Sequence, residues 1–376
     1  MDLNAHANHE ASFINDIRDV SDFKGISFSN YRKSEVKRAF ADNIHRVKLE
    51  AACYWCAELV CAGHFMDVWE IFLYFLGKYV HLGNPRLVIY LESRFRIFRN
   101  IMEKEILATE LHLRNVQNIR KLFAEVVCIL SLSPRKHCVE PIRINRVEEF
   151  DMTHMPERLK APCVKYAEPV YQEEDPKELY IAINEFSYSV SKDGKSLVTA
   201  CYWIEWVIEF DVICKRNRQV CKCQRRNYVH VDTKYQKDII WLIWDALLHY
   251  AAADGHGEFI QRIMQSLREL FSIKYTTGCC KRRRYLLYFA VGLLTDPVPT
   301  SVEIVSLDHK KILASVVEQI HMVYRQIKHN EVSPNTDYLF SSVGGRNTME
   351  QSIRKLEIMD SLGGISRSGD DDDIFG

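Results

Sequence analysis

A four-residue identity that occurs twice limits what this chain can fold into. Ala52-Cys53-Tyr54-Trp55 opens one long apolar run, and Ala200-Cys201-Tyr202-Trp203 opens another. Both copies follow a lysine and a leucine (Lys48-Leu49; Lys195 and Leu197), and both continue into aromatic-rich segments with helical spacing. Cysteine and tryptophan are rare, so the coincidence points to two related helical units descended from a duplication. The fold expected is all-α, with two related helical-bundle units joined by a proline-rich linker and followed by a disordered C-terminal tail.

The spacing divides the chain into an N-terminal segment (1–33), a first helical unit (34–133), a proline-rich linker (134–176), a second helical unit (177–329) and a flexible tail (330–376). In the first unit, helices are expected over 35–45 with Ser34 as cap, 47–61, 65–80, 86–107 and 115–132. Val68, Ile71, Phe72, Phe75 and Tyr79 form one apolar stripe. Between them, Gly83 suits a left-handed turn, Asn84 a cap and Pro85 a first helical position. Six of the ten prolines fall in 134–176, which lacks helical period and contains Glu173-Glu174-Asp175. Over forty residues is too long for a bare loop, so the linker should wrap over a surface or form a short hairpin near 163–171. Helices in the second unit are expected over 179–190, 196–214, 235–253, 258–274 and 280–294. Another is expected over 308–329, and a short one over 348–361.

Lys+Arg and Asp+Glu each total 50, so any attraction to nucleic acid must be local. Residues 1–10 lack the basic start and apolar core of a signal peptide. No apolar run reaches the ~18 residues that a membrane span requires, and no membrane partner is expected. Twelve cysteines without a secretion signal fit free thiols in the cytosol or nucleus.

The strongest electrostatic feature is the cysteine-containing insert 214–232. Lys215, Arg216, Arg218, Lys222, Arg225 and Arg226 crowd its first half with no acidic residue between Cys214 and Asn227. Lys281-Arg282-Arg283-Arg284 forms a second cluster beside Tyr275 and Tyr285. Brought together, the two would bind phosphates, with aromatics available for stacking. Kept apart, they are solvated charges facing acidic neighbours. Cys214, Cys221, Cys223 and His230 have the donor chemistry of a structural zinc site, although the spacing matches no standard finger. Otherwise they are loop thiols, and no other cofactor is expected.

Cys53-x-x-Cys56 has the spacing of a redox pair, but it lies mid-helix, and Ile204 replaces its second cysteine in the repeat. Core packing is the reading that follows. Gly194-Lys195-Ser196 resembles the end of a phosphate loop, but Ser189 stands where the earlier glycine belongs. His64, His81, Asp67 and Glu70 can form a polar cluster of surface or capping type. Trp69, Trp203, Trp206, Trp241 and Trp244 read as helical anchors. Asp370, Asp371, Asp372, Asp373, Ile374 and Phe375 close the chain as a docking peptide, with acidic residues for steering and two apolar side chains for a pocket, or as a solubilising end.

Two stretches resemble an uncharacterised helical protein family of large nucleo-cytoplasmic DNA viruses, of the algal and amoebal kind. The first is Ala51-Ala52-Cys53-Tyr54-Trp55-Cys56-Ala57-Glu58-Leu59 with Cys61-Ala62-Gly63-His64, Trp69-Glu70, and His81-Leu82-Gly83-Asn84-Pro85 to Tyr90-Leu91-Glu92. The second is Ala200-Cys201-Tyr202-Trp203-Ile204-Glu205-Trp206 with Cys221-x-Cys223-x-Arg225-Arg226 and Tyr235-Gln236-Lys237-Asp238-Ile239-Ile240-Trp241. Together they cover less than half the chain. The resemblance implies a viral source and an infected-cell setting (host cytoplasm or viral factory, nucleus or virion, not secreted), and it supplies no reaction. The function expected is a non-enzymatic scaffold or adaptor in viral genome replication or transcription. It would touch DNA, RNA or a phosphate-rich partner through the basic insert and dock a protein partner through the acidic tail. Its rivals are a minor or internal virion protein and, more weakly, a metalloenzyme centred on the insert.

Overall fold

The computed structural model describes residues 11–104, 110–146, 148–150 and 155–332. Among them the fold is all-α, with an isolated bridge between Ile26 and Arg32 and no named strand. No described helix is long and apolar enough to cross a membrane. The residues pack as two compact units. The first takes its described residues from 11–71, 100–131 and 308–332, and the second from 72–99 and 132–307.

In the first unit, α1 (Lys33–His45) packs against α2 (Leu49–Cys61), which carries the first copy of the repeat. No side chain caps α1, so Ser34 does not play the role expected of it. Trp69, on α3 (Phe65–Phe75), tilts against Phe123 of α5 (Gln117–Leu132) at 5.9 Å. Glu58 is fully buried, and its carboxylate accepts hydrogen bonds from Ser27 Oγ (2.8 Å), Ser29 N (3.0 Å) and Ser29 Oγ (2.5 Å). Burial raises its pKa against those bonds. The long helix α11 (Leu307–Lys328) buries only Ile320, Tyr324 and Ile327, a single stripe at helical spacing.

Beyond Phe75 the helix that the spacing extends to Val80 loosens into a π-helical turn, Leu76–Val80. One expectation for the following loop needs correction. The residue with positive φ is His81 (43°), not Gly83. Gly83 is needed because a Cβ there would lie 2.6 Å from the Pro134 carbonyl oxygen. A new helix, α4 (Arg86–Lys104), then begins; the residues beyond it to 109 lie outside the described set.

The second unit is built on α6 (Tyr180–Val190), α7 (Leu197–Arg216), α8 (Ile240–Ala253), α9 (Glu258–Ser272) and α10 (Arg284–Thr295). Helix α7 packs on α6 and α10, and α8 on α6 and α9. Ser196 caps α7 by accepting a hydrogen bond from Thr199 N, which accounts for the serine after Gly194-Lys195 without any phosphate. Helix α9 shows why such segments fold. Ile263, Met264, Leu267, Leu270 and Phe271 recur at helical spacing and are all buried. The helix expected over 280–294 is broken at Arg283, leaving a one-turn Cys279–Arg282 piece before α10.

The described residues of 134–176 pack within the second unit. Helix α6 holds this span by its backbone. Asn184 Oδ1 accepts from Tyr166 N and Ala167 N (3.0 and 3.2 Å), Asn184 Nδ2 donates to the Cys163 carbonyl (2.9 Å), and Glu185 accepts from Lys160 N (2.7 Å). Turns, and no hairpin, occupy 163–171.

The two copies of the repeat share their burial residue by residue. Ala52 and Ala200 are both fully buried, Cys53 and Cys201 are 3% and 1% exposed, Tyr54 and Tyr202 9% and 8%, and Trp55 and Trp203 2% and 1%. In each, the tyrosine meets the tryptophan edge-on, at 5.2 and 5.0 Å. Each helix also buries a glutamate soon after the motif, Glu58 and Glu205.

Candidate functional site

The cations singled out in the sequence separate into two groups. Arg226 is turned inward with no exposed side-chain surface. Its guanidinium meets Asp175 (2.7 and 2.9 Å), Asp245 (2.7 Å) and the Gln224 carbonyl (2.7 Å). It pins the insert to the 172–175 turn and to α8, and is not available to phosphate. Arg283 is likewise buried and donates to the Phe271 carbonyl at 2.5 Å. Lys222 pairs with Asp238 (2.5 Å), and Arg225 donates to Gln236 (2.6 Å).

The remaining cations lie at the end of α7 and in the turn before α10. Arg216 and Arg218 are exposed, and Arg218 holds a left-handed φ of 57° that turns the chain after the helix. Lys215 pairs with Asp211 one turn back, Lys281 with Glu209 (3.2 Å), and Arg284 with the largely buried Glu205 (3.2 Å). Arg282 turns towards the Cys279 thiol at 3.3 Å.

Lys215 and Lys281, far apart in sequence, line the same pocket of ≈ 310 Å³. Val207, Ile208, Asp211, Val212 and Lys215 reach it from one face of α7, as their helical spacing requires. Ile239 and Ile240, where α8 opens, add aliphatic wall, and Thr277 and Gly278 complete the lining beside Lys281. The polar residues inside are Tyr275, Asp238 and Cys280. The Tyr275 hydroxyl lies 3.2 Å from Asp238 Oδ2 and 3.1 Å from Cys280 Sγ. Burial pushes the Cys280 thiol up to about 12 and raises the Tyr275 phenol further, so both keep their protons at neutral pH. A protonated thiol is a poor nucleophile. What the pocket offers is recognition: apolar walls, two carboxylates (Asp211 and Asp238), the hydroxyls of Tyr275 and Thr277, and two half-exposed ammonium groups.

No protein-family model, curated protein or solved structure matches the chain. Function must therefore be argued from the side chains.

Of the four expected zinc ligands, Cys214 and Cys221 lie near each other, and burial raises both thiols. Cys223 points elsewhere, donating to the Asp238 carbonyl (3.3 Å), and His230 is exposed beside Glu269 (3.2 Å). Among the described residues, no three His, Cys, Asp or Glu side chains converge in a geometry able to hold a metal ion. Cys53 and Cys56 are both core residues, and burial raises both thiols. His64 Nε2 donates to the Ile26 carbonyl (2.8 Å), and the ring sits by Asp67, which Lys33 and Lys37 neutralise. The acidic peptide Asp370, Asp371, Asp372, Asp373, Ile374 and Phe375, and the helix expected over 348–361, lie outside the described residues.

Sequence reasoning gave Asp238 no part in a site and treated Tyr275 only as an aromatic beside the basic cluster. The available signal was Tyr275-Thr276-Thr277-Gly278-Cys279-Cys280, a glycine-marked turn leading straight into Lys281.

Proposed function

We propose that this chain is a non-enzymatic helical adaptor that binds nucleic acid through the end of α7 and the turn before α10. What supports this is one juxtaposition: Lys215 and Lys281 line a single pocket, with Arg216 and Arg218 exposed in the loop that follows Lys215. Lys215, Arg216, Arg218, Lys281, Arg282 and Arg284 outnumber their acidic neighbours Glu205, Glu209 and Asp211, so the surface stays cationic after pairing. Exposed ion pairs are worth little, and a phosphate displaces such a carboxylate at small cost. The setting, viral genome replication or transcription in an infected cell, comes from the sequence resemblance. A protein partner docked by the acidic tail belongs to the same adaptor role.

The test is fluorescence anisotropy with labelled DNA and RNA oligonucleotides at about 50 mM salt. Binding is expected, and the double variant K215E/K281E should weaken it by about tenfold or more while leaving the circular dichroism spectrum unchanged. Absence of binding to every oligonucleotide at low salt would remove the nucleic-acid role.

A further inference from the structure

Beside these cations lies a cavity that duplex binding does not use. Phosphate contacts need only the exposed lysines and arginines. Yet between the two lysines the surface opens into ≈ 310 Å³ of largely aliphatic space, at the lower end of the volumes that hold small ligands. Its walls are apolar, while Asp238 and Tyr275 stand inside with acceptor capacity left over. Asp238 is 3% exposed and takes one hydrogen bond at each oxygen, from Lys222 and from Tyr275. Each carboxylate oxygen can accept another.

We infer that this pocket receives one unstacked base of a single strand, with the flanking phosphates on Lys215 and Lys281. The inference stands on the nucleic-acid role proposed above and names the form of nucleic acid bound. A duplex keeps its bases stacked and cannot fill the cavity without opening, whereas a single strand offers a base at lower cost. Ile208 and Ile240 supply apolar surface for its faces. Asp238, an acceptor, favours bases that present an exocyclic amino group (cytosine, adenine and guanine), because thymine and uracil offer it only the ring N3–H, flanked on both sides by carbonyl oxygens that a carboxylate repels.

The experiment compares the full chain binding to oligo(dC), oligo(dA) and oligo(dT), and to a mixed-sequence strand with and without its complement, all of one length and at one salt concentration. Single strands should bind about tenfold tighter than the duplex, and oligo(dC) or oligo(dA) several-fold tighter than oligo(dT). Val212→Phe and Thr277→Phe, two half-exposed wall positions changed separately, should each erase the single-strand preference and leave duplex affinity in place. Equal binding of strand and duplex, unaffected by either substitution, overturns the pocket assignment while the adaptor role stands. No binding of any nucleic acid overturns both. Displacement of an oligonucleotide by the peptide spanning 370–375, with no base preference, reassigns the pocket to an acidic peptide and overturns the base assignment.

Discussion

Burial sets the behaviour of His81. Its ring stacks on Phe289 with centroids 4.8 Å apart, and a Cβ on Gly292 would come within 2.8 Å of it. Burial holds its pKa down at about 4; Lys136 adds to the shift, while the Tyr288 backbone and Asp296 oppose it. The unfolded chain takes this proton near pH 6.5 and the folded chain only near pH 4. The histidine therefore costs nothing above about pH 6.5, and the fold loses stability as pH falls from there to 4, by up to ~3 kcal/mol. Glu58, Glu205 and Asp245, whose pKa values burial raises, work in the opposite direction. His81→Asn removes the titration and keeps a residue that tolerates positive φ. Urea midpoints at pH 7 and pH 5 should diverge more for the wild type than for His81→Asn. An equal pH dependence in the two proteins would show that the ring is not held neutral.

At the level of elements, the π-helical turn depends on Gly77. A Cβ at this position would sit 2.8 Å from both the carbonyl carbon and Cβ of Tyr285 on α10. The obstacle is largely backbone and cannot swing aside, so Gly77→Ala should cost about 1–3 kcal/mol, read as a lower urea midpoint at unchanged slope. Gly77 also marks where the sequence stopped being informative. Apolar spacing carried the reading from Val68 to Tyr79 as one helix, but in the π turn burial leaves that stripe: Leu76, Gly77, Lys78 and Val80 are buried, and Tyr79 is only partly so. Helix interiors such as 263–271 were legible because their burial follows local spacing. The break at Arg283 was not, since it depends on a guanidinium reaching Phe271. The contacts of the proline-rich span were not legible either, since its backbone is held by Asn184 and Glu185, polar residues of the next helix that apolar spacing does not register. In the candidate site, the cations were visible as two runs, but their charge was not a guide to their placement. Arg226 and Arg225 are neighbours in sequence, yet one is buried between two aspartates and the other is exposed.

For the molecule as a whole, charge balance limits what a binding measurement can report. With 50 basic and 50 acidic residues, no net field gathers phosphate from a distance, so the salt dependence counts local contacts alone. Lys215, Arg216, Arg218 and Lys281 can neutralise about four phosphates. A single strand releases ~0.7 counterions for each, which sets an expected slope of log K against log salt of about −3. K215E/K281E should flatten that slope as well as weaken binding, since two of the four contacts are lost. The wall substitutions Val212→Phe and Thr277→Phe remove no cation and should lower single-strand affinity at constant slope. A wild-type slope steeper than about −6 would require more cations than this surface holds and would move the interface elsewhere on the chain.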